Sequence, residues 1–140
     1  MKECPICGSS KIKRDVRDTI FEYKGKKITI KQPGFYCDEC GEAFYNSEDI
    51  KSTKKELADF KRKVDNLLTC KEIRRIRKKL GLTQKDASLL FGGGIRAFYK
   101  YESGEINQTK PVDLLLRLLD RGKIKIEDLL EISQEKSFTG

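Results

Sequence analysis

The chain has 140 residues, with 30 Lys and Arg against 22 Asp and Glu, a formal net charge of +8 and no histidine. That length suits one ordinary domain or two small ones, and it holds no apolar run of the roughly 18–20 residues that a membrane span requires. Without histidine the commonest general base and the commonest zinc ligand besides cysteine are both missing, so neither a catalytic zinc nor a Ser/His/Asp hydrolase is expected and no catalytic residue is assigned.

The N-terminus is polar and reaches Cys4 at once, which argues against a signal peptide and for a cytoplasmic, reducing setting. Cys4-Pro5-Ile6-Cys7 and Cys37-Asp38-Glu39-Cys40 form two knuckles, with two residues inside each and 29 between them. Two intervening residues let a tight turn aim both thiolates at one ion, and two knuckles supply the four sulfurs of a closed tetrahedral zinc site. The expected ligands are Cys4, Cys7, Cys37 and Cys40 around one structural Zn2+. A redox CxxC would need only one pair, near a βαβ pattern that is not present.

Between the knuckles, residues 13–17 and 19–23 have strand character, Lys24-Gly25 makes a turn, and residues 26–31 continue with Ile28 and Ile30 on one face. Pro33-Gly34 is expected to break the run before Phe35-Tyr36 leads into the second knuckle. Residues 1–45 thus read as a small zinc-ribbon-like β unit, with an unpaired edge on which a partner strand could add. Residues 48–68 read as a helix with Ser47 as N-cap and Ile50, Leu57, Phe60, Val64, Leu67 and Leu68 as its apolar stripe. Thr69-Cys70-Lys71 is expected to be a linker, and Cys70, with no histidine to activate it, a bland thiol.

Residues 71–110 carry 10 basic and 4 acidic side chains, so the basic surplus is concentrated there. Ile73, Ile76 and Leu80, interleaved with Arg74, Arg75, Arg77, Lys78 and Lys79, predict an amphipathic helix ended by Gly81. Thr83 with Asp86 predicts the capped start of a second helix, with Ala87 at a close crossing and Leu89, Leu90 and Phe91 in the core. Gly92-Gly93-Gly94 is a turn, and a third helix over residues 95–101 turns Ile95, Phe98 and Tyr101 inward and Arg96, Tyr99 and Lys100 outward. This is a helix-turn-helix layout, whose third helix would enter the major groove of double-stranded operator DNA. Arg96 and Lys100 are the expected base readers, Tyr99 a contact to backbone or a thymine methyl, and Gln84 a phosphate contact. Lys85 and the 74–79 cluster would add salt-sensitive affinity. Pro111 starts a helix with more leucines than one narrow stripe needs, and residues 124–132 give a last short helix. A homodimer through residues 110–132 is expected, with a polar, frayed tail from Ser133.

The chain resembles the MqsA family of type II antitoxins. The residues that carry the resemblance are Cys4-Pro-Ile-Cys7, Gly34-Phe-Tyr-Cys37-Asp-Glu-Cys40, the stretch Ile76-Arg-Lys-Lys-Leu-Gly-Leu-Thr-Gln-Lys-Asp-Ala87, Phe91-Gly-Gly-Gly-Ile-Arg-Ala-Phe98 and Tyr101-Glu-Ser-Gly104. It implies an α+β protein in two parts. Residues 1–69 would be a zinc-binding β unit with a helix that docks and masks an mRNA-cleaving toxin. Residues 70–140 would be an all-α, Xre/Cro-like helix-turn-helix domain that dimerises and represses the operon. Arg96 and Lys100 fall where the family's base readers are an asparagine and an arginine, which implies a shift of preference from adenine toward guanine at the first position. The alternatives are a stand-alone zinc-ribbon/helix-turn-helix regulator or coactivator without a toxin, and a metal or redox enzyme with an open zinc position or cycling thiols. The 29-residue, strand-patterned insert favours protein docking over a minimal ribbon.

Overall fold

In the computed structural model, residues 1–134 are described; the tail read from Ser133 lies, from residue 135, outside the described residues. The protein is α+β, with a three-stranded antiparallel sheet followed by six helices. It divides into two compact units, Met1–Val64 and a second that begins at Asp65.

The first unit is built on one long hairpin. Strand β1 (Ile12–Tyr23) pairs with β2 (Lys26–Cys37) along its whole length, from Ile12 opposite Cys37 to Tyr23 opposite Lys26. The short β3 (Ala43–Phe44) adds to the other edge of β2, opposite Phe35 and Tyr36. The hairpin therefore returns the chain so that the residues entering the second knuckle lie beside those leaving the first.

Pro33-Gly34 does not break β2, contrary to expectation. Val16, opposite Pro33, turns its N–H away from β2 to the Asp15 carboxylate (2.8 Å), and the Pro33 carbonyl accepts from the Gln32 side chain (2.9 Å). The pair is therefore of the non-hydrogen-bonded kind, and the N–H that proline lacks would face the side that β3 reaches only at Phe35 and Tyr36. Gly34 has a steric role rather than a turn role. A Cβ there would lie 2.7 Å from Tyr45 Cδ1 and 3.0 Å from the Phe44 carbonyl oxygen. Gly34→Ala is expected to cost about 1–3 kcal/mol by overpacking this contact, read as a lowered unfolding midpoint of the metal-loaded protein.

Helix α1 (Ser47–Val64) packs on β2. Its cap is Asn46 rather than Ser47: the Asp49 N–H donates to Asn46 Oδ1 (2.8 Å) and the Asn46 N–H to Asp49 Oδ2 (3.0 Å), a reciprocal capping box. Asp49 also takes both guanidinium nitrogens of Arg14 (2.9 and 2.8 Å), whose plane lies over Phe35. The Arg14 guanidinium, and after it the Asn46 N–H, hold the Asp49 carboxyl below the usual carboxylate range. The inward face at the start of α1 is accordingly polar. Buried Gln32 donates to the Asp49 carbonyl and accepts from Thr53, each at 2.9 Å. Ile50, expected to face inward, is 56% exposed because Asp49 and Thr53 occupy that face. The helix ends at Val64, before Leu67 and Leu68; Leu68 packs in the core of the second unit.

The second unit holds α2 (Cys70–Lys79), α3 (Gln84–Phe91), α4 (Ala97–Ser103), α5 (Lys110–Asp120) and α6 (Ile126–Gln134). Its core joins Leu68, Ile73, Ile76, Ala87, Ala97, Phe98, Tyr101, Val112 and Leu116. Thr69-Cys70-Lys71 is not a linker. Thr69 caps α2 in a box with Glu72, and Cys70 is buried with its thiol donating to the Tyr101 carbonyl (3.3 Å). The capping box needs only local residues, and here it extends the helix into a stretch that no Gly or Pro interrupts. The chain entering α2 is pinned to α5 by buried Asp113, which accepts from the Leu68 N–H (2.8 Å), Gln108 (3.0 Å) and Arg117 (2.8 Å).

Candidate metal centre and nucleic-acid interface

The two knuckles have the same backbone. The Cys4 N–H donates to the Ser9 carbonyl and the Gly8 N–H returns to the Cys4 carbonyl; the Cys37 N–H donates to Glu42 and the Gly41 N–H returns to Cys37, all at 2.8–3.0 Å. Each turn closes on a glycine with positive φ, +74° at Gly8 and +78° at Gly41, a conformation that a side chain would strain. In each knuckle the first cysteine is buried and the second exposed.

All four sulfurs lie within 4.8 Å of one another. Two contacts run across the knuckles, Cys4 to Cys40 and Cys7 to Cys37, each at 3.6 Å. Four sulfurs placed about 2.3 Å from a zinc ion at tetrahedral angles would stand roughly 3.8 Å apart, so the donor set fits such an ion in both type and spacing. The cluster can hold a metal ion. The Cys4 thiol is drawn down to about 7, chiefly by the backbone N–H of Cys7. At Cys40 the N–H of Glu42 acts in the same sense, but partial desolvation of the sulfur and the three neighbouring sulfurs outweigh it and push that thiol up to about 12. Four negative charges this close would repel one another, and a bound cation would stabilise the sulfurs as thiolates.

Asp38 locks the second knuckle to β1. Its N–H donates to the Lys11 carbonyl (3.0 Å), and its carboxylate takes the Arg17 guanidinium (2.7 Å), which also lies over the Tyr36 ring. The separation of 21 residues between Arg17 and Asp38 left no local signal of this contact. Beneath the sulfurs, Ile12, Phe35 and Phe44 complete a core of few side chains. A core that small is characteristic of domains that a metal helps to fold.

In the second unit, Thr83 caps α3 as expected, its side chain accepting the Asp86 N–H (3.1 Å). Helix α4 begins at Ala97, two residues later than expected, with Arg96 in the cap position. Ala97, Phe98 and Tyr101 face the core, and Arg96, Tyr99 and Lys100 are exposed. The Arg96 guanidinium lies 4.7 Å over the Tyr99 ring. Gln84 opens α3 and is half-buried, and Lys85 beside it is exposed. Buried Ser88 ties the two helices together, donating to the Gln84 carbonyl (2.7 Å) and accepting the Phe98 N–H (3.0 Å).

Several expectations are corrected here. Ile95 and Leu89 are 58% and 65% exposed rather than in the core, because α4 starts late and α3 turns Ala87 and Ser88 inward. The basic cluster of α2 is only partly free for a polyanion. Arg77 is buried against Glu102, and Arg75 and Lys79 both bind Asp120, at 3.0 and 3.1 Å. These two cations hold the Asp120 carboxyl down at about 2. The ion cluster therefore contributes fully above the ordinary aspartate pKa and is lost as the pH falls through the lowered one. Arg74 and Lys78 remain exposed.

The family model for the antitoxin component of bacterial toxin-antitoxin system, MqsA, matches residues 1–131. Antitoxin MqsA of Escherichia coli (strain K12) is 35% identical over 121 residues, which cover 85% of this chain and 92% of that protein. Among solved structures, the N-terminal domain of the E. coli protein MqsA aligns at 25% identity with a TM-score of 0.41, over 46% of this chain and 97% of that domain.

Proposed function

The chain belongs to the MqsA antitoxin family, and from that membership we propose that it neutralises a cognate toxin through its first unit and represses its own operon through its second. The observation that carries this reading is the span of the family match, whose residues 1–131 take in both the four-thiol cluster and the helix-turn-helix.

In the first unit, Cys4, Cys7, Cys37 and Cys40 would hold one structural Zn2+. With all four positions taken by sulfur, zinc would serve there as a staple, fixing the knuckles and the hairpin against which a toxin docks. The toxin implied by the family resemblance is an mRNA-cleaving ribonuclease. In the second unit, α4 would lie in the major groove with Arg96 and Lys100 toward base edges, Tyr99 beside them, and Gln84 and Lys85 toward phosphates. The hydrogen bonds of Ser88 support this arrangement, since they fix the start of α4 to α3.

A homodimer would present two such helices to a palindrome. Leu114 and Leu118 on α5 and Leu130 and Ile132 on α6 are all large, apolar and at least 39% exposed, which supports a seam through residues 110–132. No helix among the described residues is long and apolar enough to cross a membrane; we place the protein's action in the cytoplasm, where its DNA and toxin would be.

Arg96→Ala is expected to weaken specific operator binding by about 1–3 kcal/mol and to relax preference at one base pair in each half-site. Lys85→Ala should weaken all sequences alike and flatten the salt dependence. Gel-shift titrations on operator and scrambled duplexes at several salt concentrations separate the two effects. Unchanged specificity in Arg96→Ala would remove it as a base reader.

A further inference from the structure

The exposed surface at the N-terminal end of α4 includes a large aliphatic side chain. Ile95, immediately before the cap residue Arg96, is 58% exposed. An apolar residue at this position often staples a helix start by packing against the fourth helical residue, but that residue here is Lys100, itself exposed. The inward positions are filled by Ala97, Phe98 and Tyr101. Ile95 is therefore a β-branched aliphatic side chain held in water beside the two cations assigned to base contact.

We infer that Ile95 is a further specificity residue, which reads the C5-methyl group of a thymine in the major groove next to the base pair contacted by Arg96. The inference rests on the DNA-binding reading above. Residues at the N-terminal end of a recognition helix are those that reach base edges. The only feature of those edges that an aliphatic side chain recognises is the thymine methyl, since every other major-groove signal is a hydrogen-bond donor or acceptor. Tyr99, the other exposed group with an apolar surface, has a ring face covered by the Arg96 guanidinium at 4.7 Å. Ile95 is 58% exposed and follows three glycines, Gly92-Gly93-Gly94, which carry no side chains that could cover it.

The test is a thermodynamic cycle on the DNA bound by the full chain. Once footprinting defines a half-site, each thymine in it is replaced singly by deoxyuridine, which removes the methyl group and nothing else. Affinities are measured for the unaltered protein, Ile95→Ala and Tyr99→Ala. At one position, deoxyuridine should weaken the unaltered protein by about three- to tenfold, the scale of one lost methyl contact, and leave Ile95→Ala unaffected. Ile95→Ala should weaken the thymine duplex by a similar factor, with an unchanged thermal midpoint. Equal deoxyuridine sensitivity in Ile95→Ala and the unaltered protein at every position would overturn the inference, as would loss of that sensitivity in Tyr99→Ala instead. If the unaltered protein prefers no sequence at all, the DNA reading itself fails and the inference falls with it.

Discussion

Cys37→Ser is expected to abolish stoichiometric metal binding and to unfold the first unit, while the second keeps its helices. Cys37 is fully buried, and its sulfur stands 3.6 Å from that of Cys7. It also shares the small core with Cys4 and Ile12. A serine hydroxyl is a poor zinc ligand at neutral pH, and a site left with three thiolates loses its closed geometry. For structural zinc sites the binding free energy is largely the folding free energy, on the order of 10 kcal/mol or more in small metal-folded units. The few apolar side chains buried in that unit, Cys4, Ile12, Ile30, Tyr36 and Cys37, include two of the ligands themselves and cannot replace that. Metal content measured by mass spectrometry should fall from about one ion per chain toward zero, as expected for one four-sulfur site. Amide signals of the hairpin should collapse while those of the core around Phe98 persist. A variant that keeps its hairpin signals without metal would show that the fold of this unit does not depend on the ion.

The second large effect is expected at Glu102. Its two carboxylate oxygens take the Arg77 Nε and Nη2 at 2.8 and 3.0 Å, and the remaining Arg77 nitrogen, Nη1, donates to the Leu82 carbonyl at 2.9 Å. Both side chains are at least nine-tenths buried. The pair joins α2 to α4 and holds the turn that leads into α3. Glu102→Ala would leave a buried guanidinium with a single carbonyl partner, and removing one member of a buried pair costs about 3–5 kcal/mol. Replacing both, as Arg77→Met with Glu102→Leu, should recover much of that loss, because no charge is then stranded. Urea unfolding of the two variants decides the matter. A loss below about 1 kcal/mol in Glu102→Ala, the range of exposed pairs, would mean that the pair is solvated and not structural.

What could be read from the residues alone was what depends on spacing. The two CxxC knuckles, the glycines that follow them, the Thr83 cap and the inward positions Phe98 and Tyr101 all rest on short-range geometry, and each is found as expected. Four of the failures share a cause in contacts distant in sequence. Pro33-Gly34 looked like a break, yet β2 runs through it because β3 stops short of Pro33 and Tyr45 covers Gly34. Ile50 looked like core, yet α1 turns Asp49 inward to meet Arg14, 35 residues away. Arg77 looked like one more cation for DNA, and only its approach to Glu102, 25 residues on, makes it structural. Leu68, at the end of the expected first helix, belongs to the second core because Asp113 on α5 captures its N–H.

Neutralisation of a toxin by this chain can be read from the growth of a host cell. The reading frame adjacent to this gene would be expressed in a bacterial host alone, with this chain, and with Cys37→Ser. The expected result is arrested growth from the neighbour, rescue by the full chain with a co-purifying complex, and no rescue by Cys37→Ser. Contradiction would come from a neighbour that is toxic yet neither binds this chain nor is relieved by it, or from a neighbour with no toxicity at all; in either case the first unit would need another partner.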